Sequence, residues 1–216
     1  MVDHSKNNQA QFYPVLKLTS EGRVVGWEDR RNGVTRIVTA FAPTHKAFAP
    51  YQFLNQFHHS PNRKFGRGSG AMRIALAADK KTVMAAWLDK RNWRSGYDVF
   101  ASQSRDGGKT FSGNEIAQDQ FAENLPQWHA SIALQVDGKV AAVAWDDNRN
   151  ESPDVLYSLR RGGEWSDDFE LPGADGPGQQ SHPSITFDQQ GQLHVVWQST
   201  VNGVTEVRYA QSIASQ

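Results

Sequence analysis

The segment KVAAVAWDDNRNE, residues 139–151, is an apolar run that ends in a tryptophan and then turns abruptly polar. RVVGWEDRRNG (23–33), TVMAAWLDKRNW (82–93) and QLHVVWQSTVNG (192–203) repeat it, with the aromatic residue at Trp27, Trp87, Trp145 and Trp197. A short apolar, β-branched run bounded by turn residues reads as a buried strand. A turn precedes each run (SEG, DKK, DG, QQGQ), and before the turn stands another strand-like stretch: YPVLKLT, AMRIALAA, HASIALQV and HPSITFD. A third stretch follows each tryptophan loop, as TRIVTAF, DVFASQS, DVLYSLR and EVRYAQS. A weaker fourth closes three of the four units, as YQFLNQ, NEIAQD and DFELPG. No segment sustains a 3.6-residue period, so almost no helix is expected.

The unit is therefore a four-stranded antiparallel meander of about 55 residues, and such units in tandem predict radial blades. The expected fold is all-β: one β-propeller domain over residues 1–216, with blades at about 11–57, 71–120, 129–174 and 182–212. The fourth unit ends at IASQ with no clear fourth strand. A ring whose first and last blades do not pair leaves exposed edges. Three arrangements answer this. The four blades close alone, with residues 1–10 as the missing strand, although MVDHSKNNQA is a poor strand sequence. The chain is a piece of a six- or seven-bladed parent. Or a protein partner completes or caps the ring.

SRDGGKTF (104–111) lies between the third and fourth strands of the second unit. Ser104, Asp106, Gly108, Thr110 and Phe111 fill all five positions of the Asp-box, S-x-D-x-G-x-T-F/W, and the segment resembles that of the sialidase-like, BNR-repeat propellers. The third unit carries a worn copy, SLRRGGEW, read with Ser158, Gly162 and Trp165 in register and Arg160 in place of Asp. Physically the box is a hairpin staple: Asp accepts backbone N–H bonds, Gly allows positive φ, and the aromatic ring packs into the blade. The resemblance implies that it lies on the face away from the family's active site.

W-x-D-x-R-N recurs as Trp27/Asp29/Arg31/Asn32, Trp87/Asp89/Arg91/Asn92 and Trp145/Asp147/Arg149/Asn150, while the fourth unit has Ser199, Val201 and Asn202 after Trp197. Asp and Arg recurring blade by blade most simply bridge one another. The functional alternative has Arg31, Arg91 and Arg149 lining a shared rim. In a propeller the first strands begin near the central channel on the face of these loops. The residues aligned there are Tyr13, Ala71, His129 and His182, followed two positions on by Val15, Arg73, Ser131 and Ser184, with Trp128 before His129. The ligand-binding candidates are thus Tyr13, Arg73, Trp128, His129 and His182, together with the Gly-rich basic insertion 57–70, whose Arg63, Lys64 and Arg67 suit an anionic group.

The chain has 23 basic and 23 acidic residues, so net charge does not favour nucleic acid or an anionic membrane. It has no cysteine, which excludes disulfides, thiolate metal sites and a Cys nucleophile. No apolar run approaches the roughly 18 residues of a membrane span. No metal-binding spacing is present, and no cofactor is expected. The N-terminal MVDHSKNNQAQ lacks the pattern of a secretion signal, whereas the resemblance favours an extracellular or periplasmic protein.

The resemblance also implies a test for catalysis. Enzymes of that family use an arginine cluster for the substrate carboxylate, a Tyr activated by Glu, and an Asp acid/base. Here Arg31, Arg73, Arg91, Arg149, Tyr13 and Tyr97 are present, but neither Tyr is matched to a Glu, the N-terminal arginine motif is missing, and there are four units rather than about six. The expectation is a non-catalytic recognition module or complex subunit that binds anionic carbohydrate on the channel face. A sialidase-like hydrolase or lyase on the same face and a pure protein-interaction scaffold are the alternatives.

Overall fold

The computed structural model describes residues 2, 10–31, 33–56, 70–91, 96–119 and 127–211. These contain strands and turns and no helix. Blade one is β1 (Gln11–Thr19), β2 (Gly22–Asp29), β3 (Arg36–Pro43) and β4 (Gln52–Phe53), antiparallel and in chain order. Blade two repeats the order with β5 (Ala71–Asp79), β6 (Thr82–Asp89), β7 (Asp98–Ser104) and β8 (Glu115–Ile116). Blade three comprises β9 (Gln127–Leu134), β10 (Ala141–Asn150), β11 (Ser152–Arg161), β12 (Glu164–Trp165) and β13 (Phe169–Glu170), the last two both pairing with β11. Blade four has three strands, β14 (Gln179–Phe187), β15 (Leu193–Val201) and β16 (Val204–Gln211). The inner strands β1, β5, β9 and β14 are successive neighbours around an arc.

The core lies between blades. Strand β6 is buried on both faces from Val83 to Asp89, as is β10 from Ala141 to Asp147. Both are rich in alanine, which lets sheets approach on either side. Each tryptophan points at the preceding blade. Trp87 packs in a cluster with Val24, Ile37 and Leu54 of blade one, Trp145 with Met84, Leu88 and Val99 of blade two, and Trp197 with Ala144, Val155 and Leu171 of blade three. Among the described residues no blade precedes Trp27, which packs with Val2, Val25, Phe48 and Tyr51. Val2 therefore packs on blade one, while residues 3–9, which the self-closing arrangement would use as the missing strand, lie outside the described residues. Among the described residues that edge has no fourth strand. The two ends of the arc are correspondingly apolar and open, with Leu18 70 % and Val207 78 % exposed.

The Asp-box is a staple, and it also joins blades. Ser104 Oγ donates to Asp106 Oδ1 at 2.7 Å and accepts the Gly108 N–H at 2.8 Å. Asp106 accepts Thr110 N–H at 2.9 Å and its hydroxyl at 2.6 Å. Lys109 pairs with Glu21 at 2.7 Å, in the β1–β2 turn of blade one. The box thus stands on the face opposite the tryptophan loops.

The third blade corrects the reading of SLRRGGEW. Strand register pairs Ser104 with Val83 and Arg160 with Ala141, each four residues before its tryptophan, so Arg160 is the counterpart of Ser104. Ser158 is the counterpart of Ser102: both hydroxyls donate to the carbonyl of a following serine, Ser166 at 3.0 Å and Ser112 at 2.8 Å. The blade-three hairpin is two residues shorter, and Ser158 is not the serine of a box there. Arg160 instead reaches Glu115 of blade two at 2.7 Å.

Candidate binding face at the channel mouth

Each inner strand carries a bulge at its start. The β1–β2 register shifts between Phe12 and Val15, the β5–β6 register between Met72 and Ala75, and β9 and β14 shift at the equivalent places. At each bulge one non-glycine residue adopts left-handed backbone: Tyr13 (φ 51°), Arg73 (φ 58°), His129 (φ 51°) and His182 (φ 57°). This corrects the alignment of blade two. Ala71 pairs with Asp89 as Gln11 pairs with Asp29 and Gln127 with Asp147, so Arg73 stands with Tyr13, His129 and His182. Those four side chains line one concavity of about 440 Å³, within the ordinary size range of a small-ligand site.

Acidic residues on the second strands hold this arrangement across blade boundaries. Glu28 accepts the Arg73 N–H at 2.7 Å, and Asp146 accepts the His182 N–H at 3.3 Å. Asp146 also meets His129 Nδ1 at 3.0 Å. The two imidazoles stack with centroids 3.6 Å apart, and the Arg73 guanidinium lies 4.2 Å from the Tyr13 ring centroid. Burial, then the charges of His129 and Arg73, lower the pKa of His182. Burial raises that of Glu28, against the pull of Arg73. Glu28 and Asp146 occupy the x of W-x-D, a position given no role in the sequence. The signal was present there, since the four residues are Glu28, Leu88, Asp146 and Gln198.

The three motif arginines do not join the concavity. In each case the tryptophan indole N–H donates to the Asp and the Asp binds the Arg. Trp87 Nε1 lies 3.1 Å from Asp89 and Arg91 2.7 Å from the same carboxylate, and Trp145, Asp147 and Arg149 repeat these distances. Asp29 bridges Trp27 and Arg31 in the same way. Arg31 and Arg91 also lie over the rings of Tyr51 and Phe100. Arg31, Arg91 and Arg149 are therefore held as pins on their aspartates, apart from the concavity that Tyr13, Arg73, His129 and His182 line. Trp128 packs beside Tyr97, centroids 5.5 Å apart, against the core between blades two and three. Arg63, Lys64 and Arg67, with the rest of 57–69, lie outside the described residues. Among the described residues no cluster of three or more acidic or histidine side chains is placed to hold a metal ion.

The pins continue into a clip between blades. Arg91 reaches Asn114 at 3.1 Å, and Asn114 accepts the Gln56 N–H of blade one at 2.7 Å. One blade on, Arg149 reaches Asp168 at 2.7 Å, and Asp168 accepts the Asp119 N–H at 3.0 Å. Burial pushes the Asp168 carboxyl up to about 7, with its bond to Asp119 acting in the same direction. A raised folded-state pKa means that this carboxyl contributes most below its unfolded value, near 4, and that the contribution is lost as pH rises through about 7. Asp168→Asn, which copies Asn114, should therefore gain stability relative to the parent as pH rises from 4 to 8. Urea midpoints of both proteins across that range measure the gap, and a constant gap would refute the assignment.

Neither the family models nor the curated proteins contain a match to this chain. Solved structures do. A Hadza microbial sialidase superposes with a TM-score of 0.65 at 17% identity, over 93% of this chain and 44% of the other. Penicillium chrysogenum α-L-arabinanase, complexed with arabinobiose, gives 0.58 at 13% identity over 91% and 61%. The GH93 α-L-arabinofuranosidase of Fusarium graminearum, also with arabinobiose, gives 0.58 at 14% identity over 98% and 66%. The chain thus spans about two fifths to two thirds of the length of these three structures. Strand order, the Asp-box and these superpositions agree: the chain has the sialidase-like β-propeller fold, built here as four blades.

Proposed function

We propose that the channel face is a recognition site for anionic carbohydrate and that the chain serves as a binding module within a larger assembly. One observation carries this reading. Four aligned residues, none of them glycine, hold left-handed backbone and direct Tyr13, Arg73, His129 and His182 into one concavity. Each such residue costs about 1–2 kcal/mol, and strain of this kind collects at sites where geometry matters more than stability. The groups suit a sugar acid: Arg73 is a fork of donors for a carboxylate, and Tyr13 and the imidazole pair offer flat faces to the ring. The similar structures act on sugars by their names, which supports a saccharide in general. The choice of an anionic one rests on Arg73.

Hydrolysis on the same face is the second reading, favoured by the glycosidase names of the similar structures. Of its two candidate nucleophiles, Tyr13 lines the concavity, whereas Tyr97 lies beside Trp128 outside it and is the poorer of the two. Burial, then the charges of Glu28 and Asp89, raise its phenol pKa, which opposes phenolate formation.

Calorimetric titration with sialic acid, glucuronate and neutral arabinobiose separates the readings. Binding of the two acids, lost at least tenfold in Arg73→Ala, is expected from a charge-assisted hydrogen bond worth about 1.5–3 kcal/mol. Equal binding of arabinobiose, or no change in Arg73→Ala, would overturn the anionic assignment. Turnover of a fluorogenic sialoside between pH 4 and 8 that disappears in Tyr13→Phe would establish hydrolysis instead.

A further inference from the structure

The outer edge of blade four is a second site, independent of the channel face. In the other blades one aligned residue of the third strand turns both backbone groups outward to a covering segment. Ile37 accepts the Leu54 N–H at 2.8 Å and donates to Asn55 Oδ1 at 2.9 Å. Val99 accepts the Ala117 N–H at 2.9 Å and donates to Gln118 Oε1 at 2.8 Å. Val155 accepts the Leu171 N–H at 3.1 Å and donates to the Ala174 carbonyl at 3.2 Å. Strand register sets Ile37 opposite Glu28, Val155 opposite Asp146 and Val207 opposite Gln198, so Val207 is their counterpart. It directs its N–H and C=O to an edge that no described strand covers. Its side chain is 78 % exposed, and that of Tyr209 is 58 % exposed.

We infer that this edge pairs with the same edge of a second copy of the chain, antiparallel about a two-fold axis through Val207. The charge order singles out this occupant. Only odd-numbered residues of β16 present backbone groups outward, so two copies can meet in few registers. With Val207 opposite Val207 of the second copy, Glu206 faces Arg208 and Arg208 faces Glu206, while Thr205 faces Tyr209. Moving one copy by two residues either way sets Glu206 against Glu206 or Arg208 against Arg208. Opposite charges across an antiparallel pair attract and like charges repel. The central register alone satisfies both copies, which is the self-complementarity that a two-fold interface requires. The central Val207 pair can exchange both its N–H···O bonds, because the N–H and C=O of Val207 both face outward. Pairing also covers an exposed edge that otherwise invites uncontrolled association.

Sedimentation velocity over a hundredfold range of concentration tests this. The parent protein should approach twice the 24.1 kDa of one chain. Arg208→Glu, which sets Glu against Glu, should weaken the dimer at least tenfold, and Glu206→Arg with Arg208→Glu should restore it. Both side chains are exposed, and circular dichroism checks that each variant folds. Hydrogen exchange at the Val207 amide should slow with concentration in the parent and in the double variant only. A parent that stays monomeric, or a dimer indifferent to Arg208→Glu, would overturn the inference. So would slowed Val207 exchange in a monomeric parent on adding the peptide YQFLNQ, residues 51–56, because the edge would then take a blade-type strand from a different chain.

Discussion

Asp147→Ala should destabilise the protein by about 3–5 kcal/mol, the cost of removing one partner from a buried charge network. Asp147 is fully buried and serves three groups at once. It accepts the Trp145 indole N–H at 3.1 Å and the Gln127 amide at 3.3 Å, and binds Arg149 at 2.7 Å. Burial alone would raise its pKa, but Arg149 and Trp145 outweigh that and hold it below the usual carboxylate range. Its stabilising charge is therefore present at neutral pH and is lost as pH falls through the lowered value. Alanine leaves an indole and an amide without an acceptor and a cation with only Asp168. Blade four shows how the position works without a carboxylate: Ser199 and Val201 replace Asp and Arg, and the Trp197 indole turns to Gln180 at 2.9 Å. Gln127 is the counterpart of Gln180. Asp147→Ser with Arg149→Val reproduces that arrangement and removes the orphaned cation, so it should cost less than Asp147→Ala alone. Urea unfolding measures both, and an equal or larger loss in the double variant would refute the account.

Gly108→Ala should cost about 2–5 kcal/mol, from backbone strain and from overpacking together. Gly108 has φ 95°, a conformation that an L side chain rarely adopts, and an added Cβ would stand 2.8 Å from both Cβ and Cγ2 of Val24. Val24 is buried between blades one and two, and its short branched side chain has no room to withdraw. The same backbone N–H is held by Ser104 Oγ at 2.8 Å, so the hairpin cannot shift outward without losing the staple. Gly113, just beyond the box, has ordinary φ and open space around it, and Gly113→Ala should lie within about 0.5 kcal/mol of the parent. Thermal or urea midpoints of the two variants, measured together, decide the point. Equal small effects would mean that the box serves recognition of the fold and little of its stability.

The repeat of Trp27, Trp87, Trp145 and Trp197 was enough to determine the blades, because the signals are local: an apolar run, a turn, an alternating run and a hairpin box. The bridging of Asp29, Asp89 and Asp147 to their arginines was equally legible, since partners two residues apart need no tertiary information. The place of SLRRGGEW was not legible, because a hairpin two residues shorter between β11 and β12 can be absorbed in sequence by sliding Ser158 along. Only the register with Ala141 fixes it.

Alone, the sequence determined that the chain folds as tandem four-stranded blades with a stapled hairpin on one face and the Trp–Asp–Arg loops on the other. Tertiary structure decided what the mouth contains. The bulges at Tyr13, Arg73, His129 and His182 carry no glycine or asparagine to announce positive φ. They are maintained where carboxylates of a neighbouring blade, Glu28 and Asp146, catch the N–H groups of Arg73 and His182. Those partners are 45 and 36 residues away along the chain. Packing of one sheet against the next, and not any local propensity, brings these residues together.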